Sequence, residues 1–237
     1  SNVITANNGS GDGGNLTIKA GRSVLVNANI TTDNGNLTLK ANETNANGAV
    51  NQRDSGAAAI TLASGTTINV GTGVFTASMD TGAGKTNTNS GDITLSNVTA
   101  GSLVVNNGGN TSGSDILDNG VLTIAGTSSF TTSVSNAVIT LDSANAFTGA
   151  VTINTTGSSG NATIDNGTTA FNVAASSVGG NLTLTSGNSI TDSGTLTVGG
   201  NLAAITDANS GLINLGTLAV DGTVALTTNG SGNATAV

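Results

Sequence analysis

The stretch GGNLTLTSGNSITDSGTLTVGGNL at 179–202 decides the fold. Its opening returns as GGNLAA at 199–204, about 20 residues on. Inside it, Leu182-Thr183-Leu184 and Leu196-Thr197-Val198 share one kernel: apolar, Thr, apolar. In an extended chain the flanking pair points one way and the central Thr the other. Each kernel therefore predicts a short strand with one buried face. The Gly, Asn, Asp and Ser between kernels tolerate tight turns and positive φ, so a corner is expected after every few residues.

Working outward, the same kernel recurs along the chain. GNLTIKAG at 14–21 returns as GNLTLKAN at 35–42. Looser copies are Ile60-Thr61-Leu62, Ile93-Thr94-Leu95, Leu122-Thr123-Ile124, Ile139-Thr140-Leu141 and Val151-Thr152-Ile153. Further apolar pieces lie between them, such as Val24-Leu25-Val26, Ile68-Asn69-Val70 and Leu103-Val104-Val105. A period near 20 holding two or three short strands predicts an all-β chain folded as a parallel β-helix, or solenoid, of about 11 coils. Stacked at about 4.8 Å, these would form a rod roughly 50 Å long, with Leu, Ile and Val inside and Thr outside. Asn at the turns is expected to stack and exchange amide hydrogen bonds. Tandem β-sandwiches are the rival; they call for a buried Trp and some Tyr and Pro, and the chain has none of these.

The whole of 1–237 reads as a single β-helix segment, expected to belong to a longer protein. Three stretches lack kernels and predict loop excursions: 42–58, 77–91 and 106–119. The first two fall about one coil apart and would project from neighbouring positions on the rod. They hold Glu43, Arg53, Asp54, Asp80 and Lys85, the candidate binding residues of the chain. Charge is unevenly spread. Residues 1–85 carry all five basic groups and five acids, while 86–237 carry eight Asp and no base.

Composition removes several chemistries. Without His or Cys there is no Ser-His-Asp triad, Cys nucleophile or ordinary zinc site. Five basic residues against thirteen acids argue against a nucleic-acid groove. The longest apolar run, AAAITLA at 57–63, falls far short of the roughly 20 residues of a membrane helix, so no membrane insertion is expected. Asp12-Gly13-Gly14 is only a fragment of a calcium-roll repeat. Gly82-Ala83-Gly84-Lys85-Thr86 ends like a phosphate loop but has Met79 where the motif needs its first Gly. The Asp residues sit singly among turn formers and read as turn caps. Phe75, Phe130, Phe147 and Phe171 read as core filling. N-x-S/T sequons, among them Asn15, Asn36, Asn42, Asn97, Asn154 and Asn181, follow largely from the Asn, Ser and Thr content. No metal, no cofactor and no enzymatic activity is expected.

GNLTIKAG, GNLTLKAN and the 179–202 stretch resemble the filamentous-haemagglutinin repeats of large bacterial exoproteins, the two-partner-secreted adhesins. Phe147-Thr148-Gly149-Ala150-Val151-Thr152-Ile153 is also similar to autotransporter passenger repeats. The resemblance implies a right-handed β-helix, export to the medium or the bacterial cell surface, and adhesion. The implied partners are the rest of the adhesin chain and a receptor or glycan on a host or neighbouring cell. The family's secretion domain carries an N-P-N motif, which a chain without Pro lacks. Two alternatives are a polysaccharide-active β-helix enzyme, which calls for carboxylates converging in one groove, and an ice- or surface-binding protein, which calls for an unbroken outward Thr array.

Overall fold

In the computed structural model, which describes residues 3–4, 13–45 and 54–236, every kernel is a strand. Successive strands fall in a constant rotation on three faces, A, B and C. Face A holds β1 (Val3–Ile4), β4 (Ile30–Thr31), β7 (Thr67–Asn69), β10 (Asn97–Ala100), β13 (Leu122–Ile124) and β16 (Ala146–Phe147), and continues as β19 (Phe171–Val173), β22 (Ile190–Asp192), β25 (Ile213–Leu215) and β28 (Ala234–Ala236). Face B holds β2 (Leu16–Lys19), β5 (Leu37–Ala41), β8 (Val74–Met79), β11 (Ser102–Asn107), β14 (Ser128–Ser135), β17 (Val151–Thr156), β20 (Ser176–Val178), β23 (Leu196–Val198) and β26 (Leu218–Val220). Face C holds β3 (Val24–Val26), β6 (Ala58–Leu62), β9 (Ser90–Leu95), β12 (Ile116–Asp118), β15 (Ile139–Leu141), β18 (Ala162–Asp165), β21 (Leu182–Ser186), β24 (Leu202–Asn209) and β27 (Val224–Asn229).

Each strand pairs in parallel with the strand of the same face one coil away. The chain is thus a parallel β-solenoid. At the seventh coil the face A sheet of β1 to β16 ends, and the face A strands β19 to β28 join the hydrogen-bonded sheet of face B through the pairing of Val151 with Val173, while Asn154 pairs with Ser177 within face B.

The nine strands of face C count nine coils, fewer than the eleven expected from the period. The period is not uniform. Ala162, Leu182 and Leu202 are stacked at intervals of 20 residues, but Ile93, Ile116 and Ile139 at 23. Val24 pairs with Ile60 and Ile60 with Ile93, intervals of 36 and 33 that contain the first two excursions.

The core is built as the kernels dictate. Leu37, Leu39, Ile60, Leu62, Ile93 and Leu95 are fully buried, and the Thr between them faces outward. Burying each such side chain contributes about 1.5–3 kcal/mol. All four Phe are core residues, and the Phe130 and Phe147 rings meet edge to face with centroids 5.6 Å apart.

The corners explain the GN-L-T motif residue by residue. Asn15 Oδ1 accepts the Asn36 N–H of the next coil, and Asn36 Oδ1 accepts the Val74 N–H, both at 2.8 Å. Asn181 and Asn201 do the same for Asn201 and Thr223 at another corner. The amides thus bond to backbone rather than to one another, as the stacking expectation had it. In the stacked copies the Gly is required by close approach: a Cβ on Gly35 would press against the Gly14 carbonyl oxygen of the coil beneath, and one on Gly200 would lie 2.9 Å from that of Gly180, whereas Gly14 has open space there. The two GNLT pairs that look alike in sequence occupy different places. Residues 14–21 and 35–42 turn from face A onto face B, whereas 179–184 and 199–204 turn from B onto C.

Candidate functional site

All three excursions leave the rod at the corner between faces B and C, on consecutive coils. Their bounds are narrower than the kernel pattern suggests. Ala77 and Met79 point into the core at the end of β8, and Ser90 opens β9, so the second excursion is 80–89. The third is 108–115, since Asn106 and Asn107 belong to β11 and Ile116–Asp118 to β12. The first starts at Asn42 and returns at Ala58, which begins β6. Ser78 stands where a kernel has Thr, and Ser90 and Asn107 are polar residues in inward positions, which is why no kernel marked these strand ends.

Hydrogen bonds tie the corner together from the first coil to the fourth. Asn42 N donates to Arg22 O at 2.8 Å and Glu43 N to Ala20 O at 3.0 Å. Asn42 Nδ2 donates to Thr88 O at 2.8 Å, joining the first excursion to the second. Asn110 Nδ2 donates to Thr81 O at 3.1 Å, joining the third to the second. Beneath them Ser90 Oγ accepts the N–H groups of Asn110 and Thr111 at 2.7 and 3.1 Å, and lies 2.7 Å from Ser114 Oγ. Asn107 Nδ2 reaches the carbonyls of Gly91 and Asp115, each at 3.0 Å.

The candidate residues divide. Glu43 is 4% exposed, with Oε2 accepting the Asn45 N–H at 2.7 Å. Asp80 Oδ1 accepts the Thr81 N–H at 2.8 Å. Asp54 is exposed, and Lys85 is half-buried on the second excursion. Arg53 lies outside the described residues, as does Asp12. Composition and position in the sequence did not single out Arg22, Lys19 and Lys40, which the structure brings to the same corner. The Arg22 guanidinium lies against Gly56, where an added Cβ would be 2.9 Å from Nη2. Lys19 and Lys40 are register partners on face B beside the corner.

Four of the remaining acids, Asp92, Asp115, Asp118 and Asp192, act as ties between coils. Asp92 Oδ1 accepts the Asp115 N–H at 3.1 Å, and Asp115 Oδ1 accepts the Val138 N–H at 2.8 Å. Asp118 takes the Ser143 N–H at 3.3 Å and Asn145 Nδ2 at 2.8 Å. Asp192 takes the N–H groups of Gly216 and Thr217, both at 2.9 Å. Burial holds the Asp92 carboxyl above the usual 3.8, opposed by its bond from Asp115 N–H and reinforced by the Asp115 charge. Burial likewise raises Asp118, against hydrogen bonds from Asn145 and Ser143 and with the Asp142 charge. Among the described residues no three acidic groups converge as a metal cage would need.

Gly82–Thr86 runs on into strand β9, not into the helix that a phosphate loop precedes. The outward file of face C reads Leu25, Thr61, Thr94, Leu117, Thr140, Thr163, Thr183, Ala203 and Ala225, so its Thr array is interrupted. Among the described residues no helix is long and apolar enough to cross a membrane.

No curated protein and no solved structure matches the chain. A family described as repeats of unknown function (DUF5649) matches it in two blocks, residues 81–154 and 159–210. Both blocks begin at the B–C corner, the first within the second excursion and the second between β17 and β18. Together they cover more than half of the sequence, and the chain belongs to this family of repeats.

Proposed function

We propose that the chain is a structural rod segment of a secreted or surface-exposed bacterial adhesin, with its recognition chemistry gathered at the B–C corner of the first four coils. The observation that carries this reading is the stacking of three excursions on consecutive coils, bonded to one another, at a corner that is crossed in three to five residues on the other coils. Stacked coils hand backbone hydrogen bonds from one rung to the next, so extension is cooperative and modular. Polar and charged loops on a rigid scaffold are where binding residues concentrate. The resemblance of GNLTIKAG and its copies to filamentous-haemagglutinin repeats supports export and adhesion.

The test is adherence of beads coated with the chain to cultured epithelial cells and to bacterial cells. In the variant, 42–57 and 80–89 are each cut to four residues, the length with which Ala20–Ser23 joins the same faces in the first coil. The variant is expected to lose most adherence while keeping its β-sheet circular dichroism. Adherence equal to that of the wild type would overturn the assignment of recognition to this corner.

A further inference from the structure

Four of the five basic residues in the chain are described, and all four lie at or beside the B–C corner of the first three coils. Lys19 and Lys40 are paired in register, one coil apart, at about 4.8 Å. Like charges set directly opposite are destabilising. Their file offers no carboxylate: it continues through Ser78, Asn106, Thr131 and Asn154. Arg22 follows Lys19 around the corner, and among the described residues its buried Nε has no acceptor. Lys85 stands on the second excursion. The described acids of the first two excursions, Glu43, Asp54 and Asp80, are three against these four bases. From residue 86 onward the rod carries eight Asp and no base, so a polyanion is repelled along the rest of its length.

We propose that this corner binds an acidic polysaccharide, with Lys19, Lys40, Arg22 and Lys85 receiving its carboxylate or sulfate groups. The proposal rests on the reading of the corner as the recognition surface and names the partner's chemistry. Thr17, Thr38 and Thr76 form the neighbouring outward file on face B and supply hydroxyls for sugar hydrogen bonds. Single-stranded nucleic acid calls for exposed aromatic platforms, and all four Phe are buried. An interfacial membrane contact calls for a broad apolar face, whereas here the two outward files of β2 and β5 are Thr and Lys.

The experiment measures binding of the full chain to polygalacturonate, dextran sulfate, neutral dextran and phosphatidylserine vesicles, at low and high salt. The double variant Lys19→Gln, Lys40→Gln touches only outward positions, and circular dichroism checks its fold. The wild type is expected to bind one or both acidic polymers in low salt and to ignore neutral dextran. The polymer that binds tells carboxylate from sulfate recognition. The double variant is expected to bind at least tenfold more weakly, and 0.5 M salt to have the same effect. Binding to neither acidic polymer, equal binding by the double variant, or a preference for vesicles overturns the proposal. If the polymers fail while cell adherence still depends on the excursions, the partner's chemistry is wrong and the recognition corner stands.

Discussion

Asn166 shows how much a single corner amide contributes. It is fully buried; its Oδ1 accepts the Phe147 N–H at 2.7 Å, and its Nδ2 donates to the carbonyls of Phe147, Thr169 and Ala170. Asn166→Ala strands these groups away from water, at about 1–3 kcal/mol for each orphaned group. A loss of about 3 kcal/mol in urea-unfolding free energy is expected, against about 1 kcal/mol for Asn181→Ala, whose single bond to Asn201 N–H is exposed. Equal losses would show that burial does not set the contribution. Asp118 gives a pH signature. Its carboxyl is held above 3.8 in the folded state, so the folded chain binds this proton more tightly than the unfolded chain. That contribution is fully present below the unfolded value and is lost as pH rises through the folded one. Lowering the pH from 7 toward 4 should therefore raise the urea midpoint of the wild type relative to Asp118→Asn. Parallel curves for the two proteins would contradict the buried, proton-binding role.

At the scale of the element, strands and corners were legible to different degrees. Apolar-Thr-apolar kernels set the inside and outside of each strand with period two, and that period survives in the burial of β5, β6 and β21. The faces were not legible, because a kernel carries no mark of which corner it follows; copies at 35–42 and 179–184 look the same and fall on B and C. Excursion bounds were hidden because Ala77-Ser78-Met79 has Ser where a kernel has Thr, and because Ser90 packs inward although it is polar. The convergence of Lys19, Arg22 and Lys40 with the excursions depends on register between coils, which one coil's sequence does not contain. The corner Gly residues carry a mark that is local. Gly126→Ala places a Cβ against the Gly101 backbone of the coil beneath, where no flexible side chain can yield. A loss of about 1–3 kcal/mol is expected from this overpacking. An unchanged thermal midpoint would mean that the coils are not in the close contact described.

At the scale of the whole molecule, the rod and the corner should be separable. Residues 180–199 are one coil, because Leu182 stacks on Ala162 and Leu202 on Leu182 with the same spacing. Removing them joins Gly179 to Gly200 and leaves Leu202 to take the place of Leu182. Repeat arrays tolerate such excision, since each coil contacts only its neighbours. The shortened chain should keep its β-sheet spectrum and lose about 4.8 Å of length by small-angle scattering. Collapse of the fold would show that the coils are not equivalent rungs. The most direct measurement compares bead adherence of three proteins on the same cells: the wild type, this coil deletion, and the variant with 42–57 and 80–89 cut to four residues each. Recognition gathered at one corner predicts that the coil deletion adheres like the wild type and that the corner variant loses most adherence. Undiminished adherence by the corner variant, or equal losses in both, would contradict it.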